Sequence, residues 1–136
     1  MKATAGQIES KVFQLLKDSS ININGKIYKE GTRPIDSKKE DAVVTFQTGT
    51  DAQIQSGIVV INVYVPDIDN GQNKGVKVKD ILRCNEIEAL LQSFSESVSV
   101  SGEYKFNPDK IIKTYKEDGI EQHFVNLRLK FKRSTY

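Results

Sequence analysis

Apolar residues recur along the chain with two periods, 3.6 and 2, and the switches between them mark out the elements. From residue 5 the spacing is helical: Ala5, Ile8, Val12, Leu15 and Leu16 share one face while Glu9, Lys11 and Asp18 point away. Thr4 followed by Gln7 fits a capping box that sets the start of this helix. "DSSININGKIYKEG" ends it, because Asp, Ser, Asn and Gly compete with helical hydrogen bonding, and Asn24-Gly25 between Ile23 and Ile27 predicts a tight turn. "TRPIDSKKED" is polar, contains Pro34 and reads as an exposed connection.

Period 2 follows. In "AVVTFQT", Ala42, Val44 and Phe46 take one face of a strand and Val43, Thr45 and Gln47 the other. "GTDAQ" turns the chain into a longer strand, residues 58–65, which is apolar on both sides: Val59, Ile61, Val63 and Val65 on one, Ile58, Val60 and Tyr64 on the other. Such a strand is central in a sheet covered on two sides, or it takes its second cover from another subunit. A second helix begins near Asp80, with Cys84, Ile87, Leu91 and Phe94 on its apolar stripe, Leu90 beside them, and Arg83, Glu86, Glu88 and Gln92 off it.

Beyond that helix "SVSVSGEYKF" alternates as a strand does. Asp118-Gly119 predicts a two-residue type I′ hairpin that pairs Lys116 with Glu121, Thr114 with His123 and Ile112 with Val125. The last strand then buries Val125, Leu127, Leu129 and Phe131 and exposes Asn126, Arg128, Lys130 and Lys132. Helix, strands, helix, strands predicts one α+β domain over residues 1–136, a mostly antiparallel sheet packed with two main helices. No internal repeat or low-complexity segment interrupts it.

A chain of 136 residues is the size of one domain. Lys and Arg number 20 against 18 Asp and Glu, a net charge of +2, so an electrostatic case for nucleic acid or an acidic membrane has to be local. Cys84 is the only cysteine, which excludes an intrachain disulfide and a thiolate zinc cage, and His123 is the only histidine. No apolar run reaches the roughly 18 residues of a membrane span, and "MKATAGQIESKVF" lacks the apolar centre of a signal peptide. A soluble protein made in the cytoplasm is expected.

The acidic loop "DIDNGQN" invites comparison with a calcium loop. An EF-hand needs oxygen ligands at positions 1, 3 and 5, glycine at 6 and glutamate at 12; counted from Asp67, position 5 is Gly71 and position 12 is Val78. "GQNKGVK" likewise lacks phosphate-loop spacing. The carboxylates Glu40-Asp41 and Asp67/Asp69, next to Lys38, Lys39 and Lys74, read as solvated turns rather than a catalytic pair. Cys84 reads as a packing residue and His123 as a cross-strand structural one, so no catalytic residue, metal site or cofactor site is assigned. A basic stripe of Arg128, Lys130, Lys132 and Arg133 shares its face with Phe124 but not with Phe131. It either keeps the strand edge from unwanted pairing and meets a protein, or binds nucleic acid.

"GKIYKEGTRPIDSKKEDAVVTF" followed by "QIQSGIVVINVYVPDI" resembles phage and prophage tail-completion proteins, the tail-terminator or head-tail joining group. The likeness spans residues 5–133 as an arrangement and is most specific over residues 25–68. It implies an α+β subunit that assembles into a ring, commonly of six, which stops tail-tube growth and presents a surface to the head connector. It also implies a non-enzymatic protein without a small-molecule substrate, whose partners are copies of itself, the tube protein and the connector, working in the host bacterial cytoplasm and then in the virion tail. Arg33, Pro34, Ser37, Glu40, Asp41, Pro66 and Asp67 match the pattern and, with Asp69 and Lys74 of the same polar loops, are the candidate interface residues. Such a ring passes DNA through its lumen, so the basic stripe faces elsewhere on this reading. The alternatives are a nucleic-acid-binding module using the basic C-terminal strand, and a metal-dependent hydrolase using the acidic loops.

Overall fold

The computed structural model describes residues 1–135. Its elements are α1 (Ala5–Asp18), β1 (Ile27–Lys29), β2 (Ala42–Thr50), β3 (Ile54–Pro66), α2 (Ile81–Ser97), β4 (Val100–Ser101), β5 (Tyr104–Pro108), β6 (Lys113–Lys116) and β7 (Gln122–Ser134). Both helices start as their sequences dictate. Thr4 Oγ1 accepts from the Gln7 N–H while Gln7 Oε1 accepts from the Thr4 N–H, closing the capping box, and Asp80 accepts from the Arg83 N–H at the head of α2.

The strands form one sheet in the order β1-β2-β3-β7-β5-β4, with β6 also paired to β7. The class is α+β, as expected, but the sheet is mixed rather than mostly antiparallel. β1 runs parallel to β2, because residues 30–41 carry the chain back to the same end of the sheet before β2 begins. The long antiparallel register of β3 on β7, from Ile54 opposite Ser134 to Pro66 opposite Gln122, is its spine.

One face of the sheet carries both helices. Val59, Ile61, Val63 and Val65 of β3 and Val125, Leu127, Leu129 and Phe131 of β7 are buried there, against Ile8, Val12 and Leu16 of α1 and Cys84, Ile87 and Leu91 of α2. The opposite face holds Ile58, Val60 and Tyr64, all half-buried, and no helix of the described residues lies over it. The second apolar side of β3 is therefore covered in part by flanking side chains, not by a second layer. No helix among the described residues is long and apolar enough to cross a membrane.

Two turn expectations fail for tertiary reasons. Asn24-Gly25 is a bend, and Gly25 is required by close approach: a Cβ there would collide with Asp41 Oδ1 and the Glu40 carbonyl. At the β6–β7 tip only Gly119 has positive φ (81°), whereas a type I′ turn needs it at both central residues. The register sits two residues away from the expected one, pairing Thr114 with Val125 and Lys116 with His123.

Leu127 is fully buried in the central strand β7, and Leu127→Ala should cost about 2–5 kcal/mol of unfolding free energy. Lys130→Ala, three residues along and exposed, should change it by less than about 0.5 kcal/mol. Urea denaturation of the two variants checks the assignment of faces.

Candidate functional site

β2 begins, β3 ends and β7 begins at one end of the sheet, and the polar residues singled out from the sequence gather there. Glu40 and Asp41 stand side by side at the threshold of β2, so the strand's period sends their side chains to opposite faces. Each meets an arginine.

On the helical face Arg83 of α2 holds Glu40 with two bonds, Nε to Oε2 and Nη2 to Oε1, both 2.8 Å. The same guanidinium reaches the Asn22 carbonyl, and Asn24 bonds Glu40 through its backbone N–H and accepts from the Glu40 N–H. The Arg83 guanidinium holds the Glu40 carboxyl below its ordinary value of 4.5 against the opposing effect of burial, with the Asn24 N–H adding to the depression.

On the open face Arg33 Nε lies 3.0 Å from Asp41 Oδ2, and its Nη2 bonds Gln122 Oε1, also at 3.0 Å. Gln122 Nε2 in turn donates to the Ser37 carbonyl, while the Ser37 hydroxyl and the Lys26 N–H bond Asp41. The Arg33 guanidinium lies 4.0 Å from the ring centre of Tyr64. Burial pushes the Asp41 carboxyl up, but Ser37, the Lys26 N–H and Arg33 together bring it below its ordinary value of 3.8.

Asp67, where β3 leaves the sheet, is also buried; its Oδ1 lies 2.6 Å from His123 Nδ1 and its Oδ2 3.4 Å from Lys116 Nζ. Lys116 also bonds the Ile120 and Gln122 carbonyls, tying the β6–β7 tip to this end. Bonds from Asp67 to Lys116 and His123 are made in this shifted hairpin register.

Glu40, Asp41 and Asp67 are thus not the solvated turn residues that their lysine-rich neighbourhood predicts. They are buried and satisfied, and they fasten loops to the sheet. Arg33 and Ser37 belong to the same framework, whereas Pro34, Asp69 and Lys74 are exposed and Pro66 is half-buried. Asp69 accepts from the Gly71 N–H within its own turn. Among the described residues no group of three or more His, Cys, Asp and Glu side chains is placed to hold a metal ion. Cys84 is buried, and loss of solvent pushes its thiol up to about 11, so it packs rather than reacts.

The anchored loops display apolar side chains. Ile35 is fully exposed between the Arg33 and Ser37 anchors, and Ile68, Val76 and Ile120 are exposed on the neighbouring loops. Ile35, Pro66 and Ile120 line one groove of about 510 Å³ that has buried Asp67 and Gln122 in its wall.

The basic stripe is divided. Arg128 bonds Asp109 and Gln47, and Lys130 and Lys132 are exposed. Arg133 belongs to the other face by strand period, where it sits by Tyr104, Glu103 and the Met1 carbonyl. Arg83, Gln122 and Lys116 carry the framework but are not among the expected site residues. Arg83 is 43 residues from Glu40 and Gln122 is 89 from Arg33, separations at which no local pattern links them.

No protein-family model matches the chain, and no curated protein does. Among solved structures it is similar to a protein with no descriptive name, at 16% identity over 95% of this chain and 92% of that one, with a TM-score of 0.49.

Breaking the Glu40 pair leaves a carboxylate with little solvent, so Arg83→Met should destabilise the protein by about 3 kcal/mol or more. Removing the exposed Lys2–Asp51 pair with Lys2→Ala should cost under about 1 kcal/mol; denaturant titration distinguishes the two. Both depressed carboxyls stabilise the fold fully above their ordinary values, and that contribution is lost as the pH falls through their folded values. Unfolding free energy should therefore drop on acidification below about pH 4.5, and Glu40→Gln should show a shallower acid limb when stability is measured against pH.

Proposed function

We propose that this chain is a structural assembly protein of the tail-completion type. It caps a tail tube as an oligomeric ring and joins the tail to the head connector, and it acts by contact, without turnover. It works in the host cytoplasm during assembly and stays in the virion tail. The resemblance over residues 25–68 suggests the reading, and one structural observation supports it: exposed Ile35, Ile68, Val76 and Ile120 are carried on loops whose bases are fastened by the buried carboxylates of Asp41 and Asp67.

Exposed aliphatic groups forgo about 25 cal/mol for each Å² left in water, and Ile35 and Ile120, which share one groove, are the pair best placed for a protein contact. Anchoring at Arg33, Asp41 and Asp67 means that little ordering entropy remains to be lost when a partner seats on the loops. On this reading Pro34, Asp69 and Lys74 touch the partner, while Glu40, Asp41 and Asp67 hold the contact loops in shape.

The test uses a phage tail-tube protein encoded beside this chain. Wild-type protein should shorten polymerised tubes or stop their growth, as read by electron microscopy. Ile35→Asp should abolish that effect while leaving the unfolding midpoint unchanged, since Ile35 makes no buried contact. Tubes of unaltered length in the presence of wild-type protein would reject the proposal.

A further inference from the structure

The open face of the sheet holds a surface that the capping reading does not use. By strand period Arg128, Lys130 and Lys132 of β7 form a row whose backbone positions are about 6.8 Å apart, with Arg128 also bonded to Asp109. Lys105 of β5 stands directly opposite Lys132. Like charges paired across strands are destabilising, and among the described residues Lys105, Lys130 and Lys132 form no ion pair. The fold bears this repulsion with no internal anion to relieve it.

Aromatic rings share this face further along β7, where Phe124 is four residues from Arg128 and eight from Lys132, about 14 and 27 Å along the strand. Tyr115 stacks on Phe124 with ring centres 5.5 Å apart and planes 23° from parallel, and Phe124 meets Tyr64 at 5.8 Å. Tyr115 is 43% exposed, and Lys113 Nζ lies 5.1 Å from its ring centre, so a base that stacks there displaces an ammonium able to turn to a phosphate. A groove of about 530 Å³ runs beside this stack; Tyr115, Phe124 and the amides of Gln47, Asn62 and Asn126 line it, and its charged residues are Lys110, Arg128 and Glu30.

The two alternation patterns combine what the sequence separates. β7 alone places only Phe124 with its cations, whereas pairing with β6 and β3 adds Tyr115 and Tyr64 to the same face. We infer that this face binds single-stranded nucleic acid, with Lys105, Lys130 and Lys132 along the backbone phosphates, Tyr115 as a stacking platform, and the groove amides toward base edges. An acidic peptide would satisfy the lysines but would leave the exposed ring without a role. A duplex hides its base faces from Tyr115.

Fluorescence anisotropy with a labelled short oligo-dT tests this. Wild-type protein should bind at low salt, with log affinity falling linearly in log salt concentration. Lys130→Gln with Lys132→Gln should make that slope shallower by about 0.7 for each phosphate no longer neutralised. Tyr115→Ala should weaken binding by about 5-fold to 100-fold with the slope unchanged. Both sets of side chains are exposed, and unchanged circular dichroism confirms folding. Absence of binding at low salt, full affinity in Tyr115→Ala, or equal competition by polyglutamate or a duplex would each overturn the inference. Ile35→Asp, which disables capping, should bind oligo-dT normally, so this inference and the capping reading fail separately.

Discussion

Glu40 and Asp41 are adjacent in sequence and opposed in space, and the rest of the functional end hangs on that opposition. A strand entering a sheet sends consecutive side chains to opposite faces, so two neighbouring carboxylates can grip two different layers. Glu40 grips α2 through Arg83, and Asp41 grips the 32–39 loop through Arg33 and Ser37. The cost of burying two charges is met by satisfying nearly every acceptor position: bidentate arginine, backbone N–H groups and a hydroxyl. Gly25 follows from the same junction, since any side chain would occupy the space that Asp41 and the Glu40 carbonyl fill.

This arrangement gives an end of the molecule where buried carboxylates lie beneath loops that expose a few aliphatic side chains among polar ones. Charged groups sit beneath the loops and fix their shape, and isoleucines are presented above them. Loops of similar polarity without such anchors would lose ordering entropy on meeting a partner; these are already ordered. The sheet's open face works differently. There Lys105, Lys130 and Lys132 form no ion pair among the described residues and share a face with the stacked Tyr115 and Phe124.

The elements that depend on local pattern are readable from residues alone. The capping box at Thr4 and Gln7, the apolar stripe of α2 and the alternation of Val125, Leu127, Leu129 and Phe131 all stand in the structure where periodicity puts them. What local pattern does not reach depends on partners distant in sequence. The parallel seat of β1 and the two-residue shift at the β6–β7 tip lie beside Glu40 and Asp67, whose partners are 43 and 56 residues away. Glu40, Asp41 and Asp67, flanked by lysines, carry the signature of a solvated turn, because composition cannot tell a charge facing water from one facing a distant arginine. Arg133 groups with its basic neighbours in sequence although it is one residue past Lys132, and a single step along a strand is enough to change face.

We propose that this chain works by seating on a protein tube, and its mass in solution is the property that seating must change. Light scattering would be recorded on the chain alone and on the chain mixed with a tail-tube protein encoded beside it. The account predicts a discrete complex or closed oligomer in the mixture, with the tubes limited in size. A chain that stays monomeric at every mixing ratio, beside tubes of unchanged mass, would contradict it.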